Sequence, residues 1–211
     1  ESNVNNAHQY GDLLKSLVID WRKTFQNDQL PFIVAQLPNY LPTQLEPKES
    51  SWAVLRQQQL SVLELPQTGI TNNIDLGDWN DIHPENKLDV AKRLSKVADK
   101  LIFNETIADA SGPICSTAED KGKYILLTFS NAKSGLQIVD NRNVKNFAIA
   151  GDDKKFTWAN ADLIGNQIRV WKSLQTDVKY IRYAWADNPM PVNVYNTEGI
   201  PMFPFEIEVS K

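Results

Sequence analysis

The sequence has one cysteine, two histidines and no excess of positive charge. Because Cys115 stands alone among 211 residues, the chain forms no internal disulfide and offers no thiolate cluster for zinc or an iron–sulfur centre. A net charge of -4 and an isoelectric point of about 5.3 argue against nucleic acid and anionic lipid as partners. No apolar stretch approaches the roughly 18 to 20 residues of a membrane-spanning helix. A hydrophobic content of 42% does allow a globular core.

The chain begins with ESNVNNAHQY, which contains neither an initiating Met nor a basic and then apolar signal segment. We therefore expect a mature or excised chain whose targeting information lies before Glu1.

The first 110 residues alternate between helical and strand patterns. Apolar residues at helical spacing predict an amphipathic helix over residues 7–27. The continuous apolar run Phe32 to Ala35 predicts a parallel-sheet strand that is buried on both faces. The remaining predictions are a helix over 51–64 capped by Ser50 or Ser51, a weaker strand in GITNNIDLG, and a helix from Pro84 to about Phe103. This order indicates an α/β domain over residues 1–110.

Residues 111–211 follow a different pattern. Short segments rich in β-branched and aromatic residues are separated by Gly, Asn, Asp or Pro: KYILLTF, GLQIV, NFAIAG, FTWANADLI, QIRVW, VKYIRYAW and PFEIEV. They predict a β-sandwich or a small barrel-like sheet. The aromatic residues near the end of the chain fit its core, with stacking on sugar rings as the alternative: Tyr183, Trp185, Tyr195, Phe203 and Phe205.

The segment DWNDIHP, residues 78–84, places His83 on a loop directly before a predicted helix. A helix N-terminus disfavours the imidazolium form and keeps such a histidine available as a base. A carboxylate usually fixes its tautomer, so Asp81 and Asp78 are candidates, with a backbone carbonyl as the alternative. Taken alone, the motif also fits a surface or capping histidine.

His8 and a group of three aspartates do not predict a catalytic or metal site. His8 lies among polar residues at the start of the first helix, where a solvent-facing position is expected. Asp75, Asp78 and Asp81 lack the glycine turn and terminal glutamate of a calcium loop. We interpret them as a solvated acidic loop and predict no metal site.

Nine stretches occur in an order typical of one enzyme family: ESN, LVIDWRKTF, PFIVAQLPN, WAVLRQQQ, IDLGDWNDIHPENK, AKRL, SGP, IRYAWADNP and YNTEGIPMFPFE. In this order they resemble the sialate O-acetylesterases, carbohydrate esterases of the SGNH hydrolase superfamily. The resemblance implies a partial SGNH-hydrolase-like parallel sheet with helices, followed by a β-rich sandwich-like region. It implies a serine carboxylic-ester hydrolase without a cofactor, acting outside the cytosol in the periplasm, the lysosome or a secreted form.

The resemblance also implies a substrate, an O-acetylated sugar. Acetylated sialic acid is the first expectation, and acetylated xylan or another polysaccharide is the alternative. A non-catalytic glycan-binding or structural chain remains the rival interpretation from a different class.

Residue roles follow from the same resemblance. His83 would be the base, oriented by Asp81 or Asp78. Gln36, Arg56 and Gln59 would point toward the substrate, unless they belong to an ordinary polar helix face and strand end. ADNP, residues 186–189, would approach the rim of the active site.

The nucleophile implied by the resemblance lies in a GQSN block, which residues 1–211 do not contain. ESN resembles the tail of a later QGESN block, so Glu1, Ser2 and Asn3 would line the active site, with Ser2 or Asn3 as the oxyanion or substrate contact. We therefore expect the nucleophilic serine on a segment before Glu1 or on a separate polypeptide, and an incomplete site in this chain alone.

Overall fold

The computed structural model describes residues 1–83, 85–140, 143–172 and 177–210. Its first part contains helices and a parallel sheet, with 3-10 helices at Val4–Gln9 and Leu60–Glu64. The elements are helix α1 at Tyr10–Thr24, strand β1 at Phe32–Ala35, helix α2 at Ser51–Gln59, strand β2 at Thr68–Thr71 and helix α3 at Lys87–Leu101.

The prediction of a parallel strand at residues 32–35 is confirmed in both its bounds and its direction. β1 pairs in parallel with β2, with Phe32 opposite Thr68. The predicted burial on both faces is wrong, because Phe32, Ile33 and Val34 are only half-buried and Ala35 is exposed. Among the described residues only β2 pairs with β1.

The helix boundaries follow local hydrogen bonds. α2 begins as predicted, since Ser50 Oγ accepts a hydrogen bond from the Ala53 amide at 2.9 Å. α3 begins later than predicted, and its cap is Asn86, whose Oδ1 accepts the Asp89 amide. The predicted start at Pro84 lies outside the described residues.

The second part is built from antiparallel strands. They are β3 at Ile114–Asp120, β4 at Tyr124–Ser130, β5 at Leu136–Ile138, β6 at Phe147–Ala150, β7 at Thr157–Trp158, β8 at Ala161–Ile164, β9 at Gln167–Trp171, β10 at Tyr180–Tyr183, β11 at Val194–Asn196 and β12 at Phe205–Glu208. In the described residues they form sheets of order β12-β10-β6-β7, β3-β4-β9-β8 and β11-β5. Each predicted strand segment contains a strand, but FTWANADLI holds two, and β3 and β11 were not predicted.

The two four-stranded sheets share one hydrophobic core, as the sandwich prediction requires. Leu127 and Ile168 come from one sheet, and Phe147 and Ile181 come from the other. Tyr183 lies at its centre, with its ring centroid 4.9 Å from that of Phe147. Most of the late aromatic residues are therefore core side chains rather than exposed sugar platforms.

A second apolar cluster joins the two parts of the chain. Val18 of α1, Val62 and Ile70 pack against Phe203, which lies after residue 200 in the β-rich part. This contact crosses the predicted division between residues 110 and 111, which stays a prediction. No helix in the described ranges has both the length and the apolar character needed to cross a bilayer.

Candidate functional site

The loops that follow β1 and β2 meet at one edge of the parallel sheet. Carboxyl ends of parallel strands share an edge, where α/β proteins usually bind ligands. Asn39 Oδ1 accepts the Gly77 amide at 2.8 Å, and the Leu41 amide donates to Trp79 O at 3.0 Å. A Cβ atom on residue 77 would lie 2.0 Å from Asn39 O, so only glycine allows this approach. The DWNDIHP loop is thereby fixed to the loop after β1.

An open cleft of about 520 Å³ lies beside these loops. It is bordered by the beginning of the chain, the loop after β1, the start of α2, the DWNDIHP loop and a loop of the β-rich part. The residues that line it include Glu1, Ser2, Tyr40, Glu49, Trp52, Ile82 and Asp187. Residues from both parts of the chain therefore form this cleft, and ADNP contributes Asp187 to its lining.

The DWNDIHP loop presents His83 to solvent next to this cleft. Its side chain is 81% exposed, and its Nδ1 lies 3.4 Å from Asp81 Oδ1. This is longer than the usual N–H···O distance of about 2.7–3.2 Å, but such contacts often tighten when a ligand binds. The same Asp81 oxygen accepts the His83 amide at 2.8 Å, which holds the carboxylate beside the ring.

Asp78 has a different position. Its Oδ1 accepts the Asn80 amide at 2.8 Å, which closes a turn at the start of the loop. No hydrogen bond joins Asp78 to His83. Of the two candidate carboxylates, the structure therefore brings only Asp81 to the imidazole.

Glu1, Ser2 and Asn3 lie at the start of the first 3-10 helix. Glu1 and Ser2 line the cleft that also contains Ile82, the neighbour of His83. Asn3 is half-buried, and its carbonyl accepts the amide of Asn6. No hydrogen bond joins Ser2 to His83.

Arg56 lies beneath the cleft and not on its surface. Its side chain is fully buried and donates to four backbone oxygens, those of Leu37 at 3.0 Å, Pro38 at 2.6 Å, Ala186 at 2.8 Å and Asp187 at 2.7 Å. Burial lowers the pKa of this guanidinium, and the Asp187 carboxylate opposes that shift. The geometry gives Arg56 a positioning role, because it joins the loop after β1 to the loop of the β-rich part.

Gln36 and Gln59 support the same loop. Gln59 Oε1 accepts the Leu37 amide at 3.0 Å, and Gln36 Nε2 donates to Arg56 O at 2.9 Å. Both side chains are buried, and Gln36 Oε1 has no hydrogen-bond partner among the described residues. Neither side chain lines the cleft, so the structure separates both from the position that the resemblance implies.

Some cleft residues were not singled out from the sequence. Trp52 and Tyr40 form an aromatic pair with centroids 5.7 Å apart, and Trp52 Nε1 donates to Pro38 O. Glu49 accepts two hydrogen bonds from Arg182, which is itself buried. Other lining residues belong to stretches that the sequence analysis did single out: Glu1, Ser2, Ile82 and Asp187.

The interpretation of Asp75 as part of a solvated loop is wrong. Both of its carboxylate oxygens pair with Arg93, at 2.6 and 2.9 Å, and Tyr195 Oη donates to it at 3.0 Å. Its side chain is only 11% exposed. In the described ranges, no group of three or more His, Cys, Asp or Glu side chains is arranged to hold a metal ion.

A second cavity of about 390 Å³ lies beside β2, between Gly69, Val97, Lys100 and Ser111. Its described lining contains neither a histidine nor a carboxylate. Ser111 Oγ donates to Ile70 O at 2.6 Å. This cavity therefore lacks the acid–base groups of the first cleft.

No family model matches the chain, and no curated protein matches its sequence. Its fold, however, superimposes on the crystal structure of a carbohydrate acetylesterase from Xanthomonas citri with a TM-score of 0.89. This chain has an esterase fold. The two sequences are 33% identical, and the match covers 95% of this chain but 46% of the other. The chain thus spans about half the length of that acetylesterase, and the expected α/β part with a β-rich region is confirmed.

Proposed function

We propose that this chain forms part of a carbohydrate O-acetylesterase and provides its catalytic base. The observation that carries the proposal is the His83–Asp81 pair, which lies at a cleft on the carboxyl edge of a parallel sheet in an esterase fold. A neutral imidazole with one nitrogen held by a carboxylate is a suitable general base.

In the proposed reaction, a serine hydroxyl attacks the acetyl carbonyl carbon while His83 takes the hydroxyl proton. Asp81 stabilises the imidazolium that forms. The tetrahedral intermediate collapses, the bond to the sugar oxygen breaks, and His83 returns the proton to that oxygen. Water, activated by His83, then attacks the acetyl-serine and releases acetate.

We place the serine nucleophile outside residues 1–211. Ser2 shares the cleft with the DWNDIHP loop, but its side chain is exposed and makes no hydrogen bond to His83. A nucleophile must be held firmly for in-line attack, and no described contact holds the Ser2 hydroxyl toward His83.

The charge of the cleft favours a neutral acetylated sugar. Glu1 and Asp187 line it together with Glu49, whose charge is paired with Arg182, and no lysine or arginine is among its described lining residues. The nearby Arg56 and Arg182 are buried and already bonded to protein acceptors. A sialic acid carboxylate would meet like charges here. The resemblance to sialate O-acetylesterases still predicts an acetylated sialic acid, so both substrates need to be tested.

The two histidines provide a matched test of the base. The chain is assayed with an aryl acetate, alone and co-expressed with the part of the Xanthomonas citri acetylesterase outside the match. We expect hydrolysis only in the combination, with a loss of at least about a hundredfold for His83→Ala and no change for His8→Ala. Equal rates in the two variants would contradict the role of His83.

The same assay tests the nucleophile and the rival function. Hydrolysis by the chain alone that disappears in Ser2→Ala would make Ser2 the nucleophile. Binding of acetylated glycans without hydrolysis in any combination would favour the non-catalytic glycan-binding chain. From the charge of the cleft, we expect an acetylated xylan fragment to be hydrolysed faster than acetylated sialic acid.

A further inference from the structure

A third cavity, the Trp185 cavity, has a volume of about 320 Å³ and lies between helix α2 and the β-rich part. Its lining includes Gln58 of α2 on one side, and Arg182, Trp185 and Glu206 on the other. Arg182 lies opposite Glu206 in the register of β10 and β12, whereas the adjacent Ile181 belongs to the core. Because successive strand residues point to opposite faces, the cavity lies on the outer face of this sheet. Its volume is within the usual range of ligand pockets, about 300–1,000 Å³.

The Trp185 cavity adjoins the cleft beside His83. Glu49 lines both of them. Trp185 lines the cavity and Asp187 lines the cleft, and the Cα atoms of residues two positions apart are separated by at most about 7 Å. Two segments of the chain therefore pass directly from one to the other, so a ligand longer than one sugar ring can contact both.

The charged groups of the Trp185 cavity are bonded to one another. Arg182 Nη2 donates to both carboxylate oxygens of Glu49, at 2.8 and 2.9 Å. Its Nε donates to Glu206 Oε2 at 2.7 Å, and Lys154 Nζ donates to Glu206 Oε1 at 2.8 Å. These two carboxylates and two cations balance each other, and an ionic ligand would have to separate the pairs. The cavity therefore favours a neutral, polar ligand.

Trp185 gives this cavity a fixed aromatic wall. The side chain is half-buried, and its Nε1 is buried without a hydrogen-bond partner among the described residues. The surface that faces the cavity is therefore ring carbon. The Arg182 guanidinium lies 4.9 Å from the centroid of the ring. Ala184, directly before Trp185, has a left-handed backbone with φ of 49°, a costly conformation for a non-glycine residue that is typical of functional sites.

We propose that the Trp185 cavity binds a neutral sugar residue that is linked to the acetylated one in the cleft. The substrate is then an oligosaccharide or polysaccharide chain and not a single sugar. Trp185 packs against the apolar face of the sugar ring. Gln58, whose side chain has no hydrogen-bond partner among the described residues, offers an amide that both donates to and accepts from hydroxyl groups. The inference rests on the proposed function for the acetylated residue, and on the described contacts for the cavity.

The test is calorimetric binding of unacetylated sugars, which needs no esterase activity. The probes are xylohexaose, cellohexaose and mannohexaose, each compared with its monosaccharide. Trp185→Ala removes the aromatic wall, and Gln58→Ala removes the amide from a half-buried position on α2. The matched control is Trp21→Ala, because Trp21 is 51% exposed on α1 and lines neither the cleft nor the Trp185 cavity. Thermal unfolding of each variant verifies that it folds.

We expect at least one hexasaccharide to bind at least about tenfold more tightly than its monosaccharide. Trp185→Ala should remove this difference, Gln58→Ala should reduce it, and Trp21→Ala should leave it unchanged. In the combination with the remaining part of the Xanthomonas citri acetylesterase, Trp185→Ala should also raise KM for the acetylated form of that hexasaccharide at least about tenfold.

Two results would overturn the inference: no hexasaccharide that binds better than its monosaccharide, or binding that neither Trp185→Ala nor Gln58→Ala weakens. Its failure differs from failure of the esterase proposal. Binding of a hexasaccharide that depends on Trp185, without hydrolysis of any acetate ester by the combination, would leave the sugar site standing and reject the esterase. Hydrolysis of aryl acetate that depends on His83, without binding of a hexasaccharide, would do the reverse.

Discussion

Replacing Arg56 by methionine should destabilise the protein and disturb the cleft together. The substitution removes one hydrogen-bond donor from each of four backbone oxygens. Pro38 O and Asp187 O keep other donors, Trp52 Nε1 and the Tyr40 amide, whereas no other hydrogen bond to Leu37 O or Ala186 O is found among the described residues. An unsatisfied buried carbonyl costs about 1–3 kcal/mol, so two of them should lower the free energy of unfolding by roughly 2–6 kcal/mol.

Urea unfolding measures this loss, and Arg22 provides the matched control. Arg22 is also buried and donates to backbone oxygens, those of Leu30, Pro66 and Gln67, but it lies away from the cleft. Arg22→Met should therefore lower stability without changing the turnover of acetylated sugar by the proposed complete site, whereas Arg56→Met should reduce both. Reduced turnover in Arg56→Met at wild-type stability would refute the positioning role and restore Arg56 as a substrate contact.

Two further predictions depend on local environments. Asp81→Asn keeps the turn to the His83 amide but removes the charge beside the imidazole, so the catalytic rate of the complete site should fall by at least about tenfold. The control Asp78→Asn should leave that rate within about twofold. Equal losses in the two variants would contradict the assignment of Asp81. Burial raises the pKa of Cys115 from 9.0 to about 12, so the folded protein should react with iodoacetamide at pH 8 at least about a hundredfold more slowly than the urea-unfolded chain, as followed by mass spectrometry. The raised pKa also means that the folded state holds this proton longer than the unfolded state, so stability should decrease as the pH rises from 9 toward 12; a denaturation midpoint that stays constant there would contradict it.

The elements that local signals define could be predicted from the sequence. The run FIVA between prolines correctly predicts the bounds of β1, and Ser50 before an apolar helix face correctly predicts the start of α2. β3 was missed because a register shift between Cys115 and Thr117 interrupts its alternation. β11 was missed because its three residues stand among the Pro, Asn and Gly residues of MPVNVYNTEG, which are typical of a loop. FTWANADLI was predicted as one strand although it contains two, because the alternation of apolar and polar residues does not mark the turn between them.

The site was predictable only where chemistry is local. Asp81 stands two residues before His83, and that spacing already placed a carboxylate beside the ring. Arg56 was expected to point toward the substrate or to lie on a polar helix face, because a sequence does not reveal that four backbone oxygens from distant segments converge on one position. Asp75 looked solvated for the same reason, since its partners Arg93 and Tyr195 come 18 and 120 residues later in the chain.

The cleft is bordered by residues far apart in the chain, and this has a consequence for related sequences. Ser50 Oγ donates to Asp187 Oδ1 at 2.6 Å, and Asn39 Nδ2 donates to Asn188 Oδ1 at 3.1 Å. A substitution at either member of these pairs removes one hydrogen bond from its partner unless the partner also changes. Among homologues, positions 39 and 188, and positions 50 and 187, should therefore vary in pairs, and the α/β and β-rich parts should be inherited together.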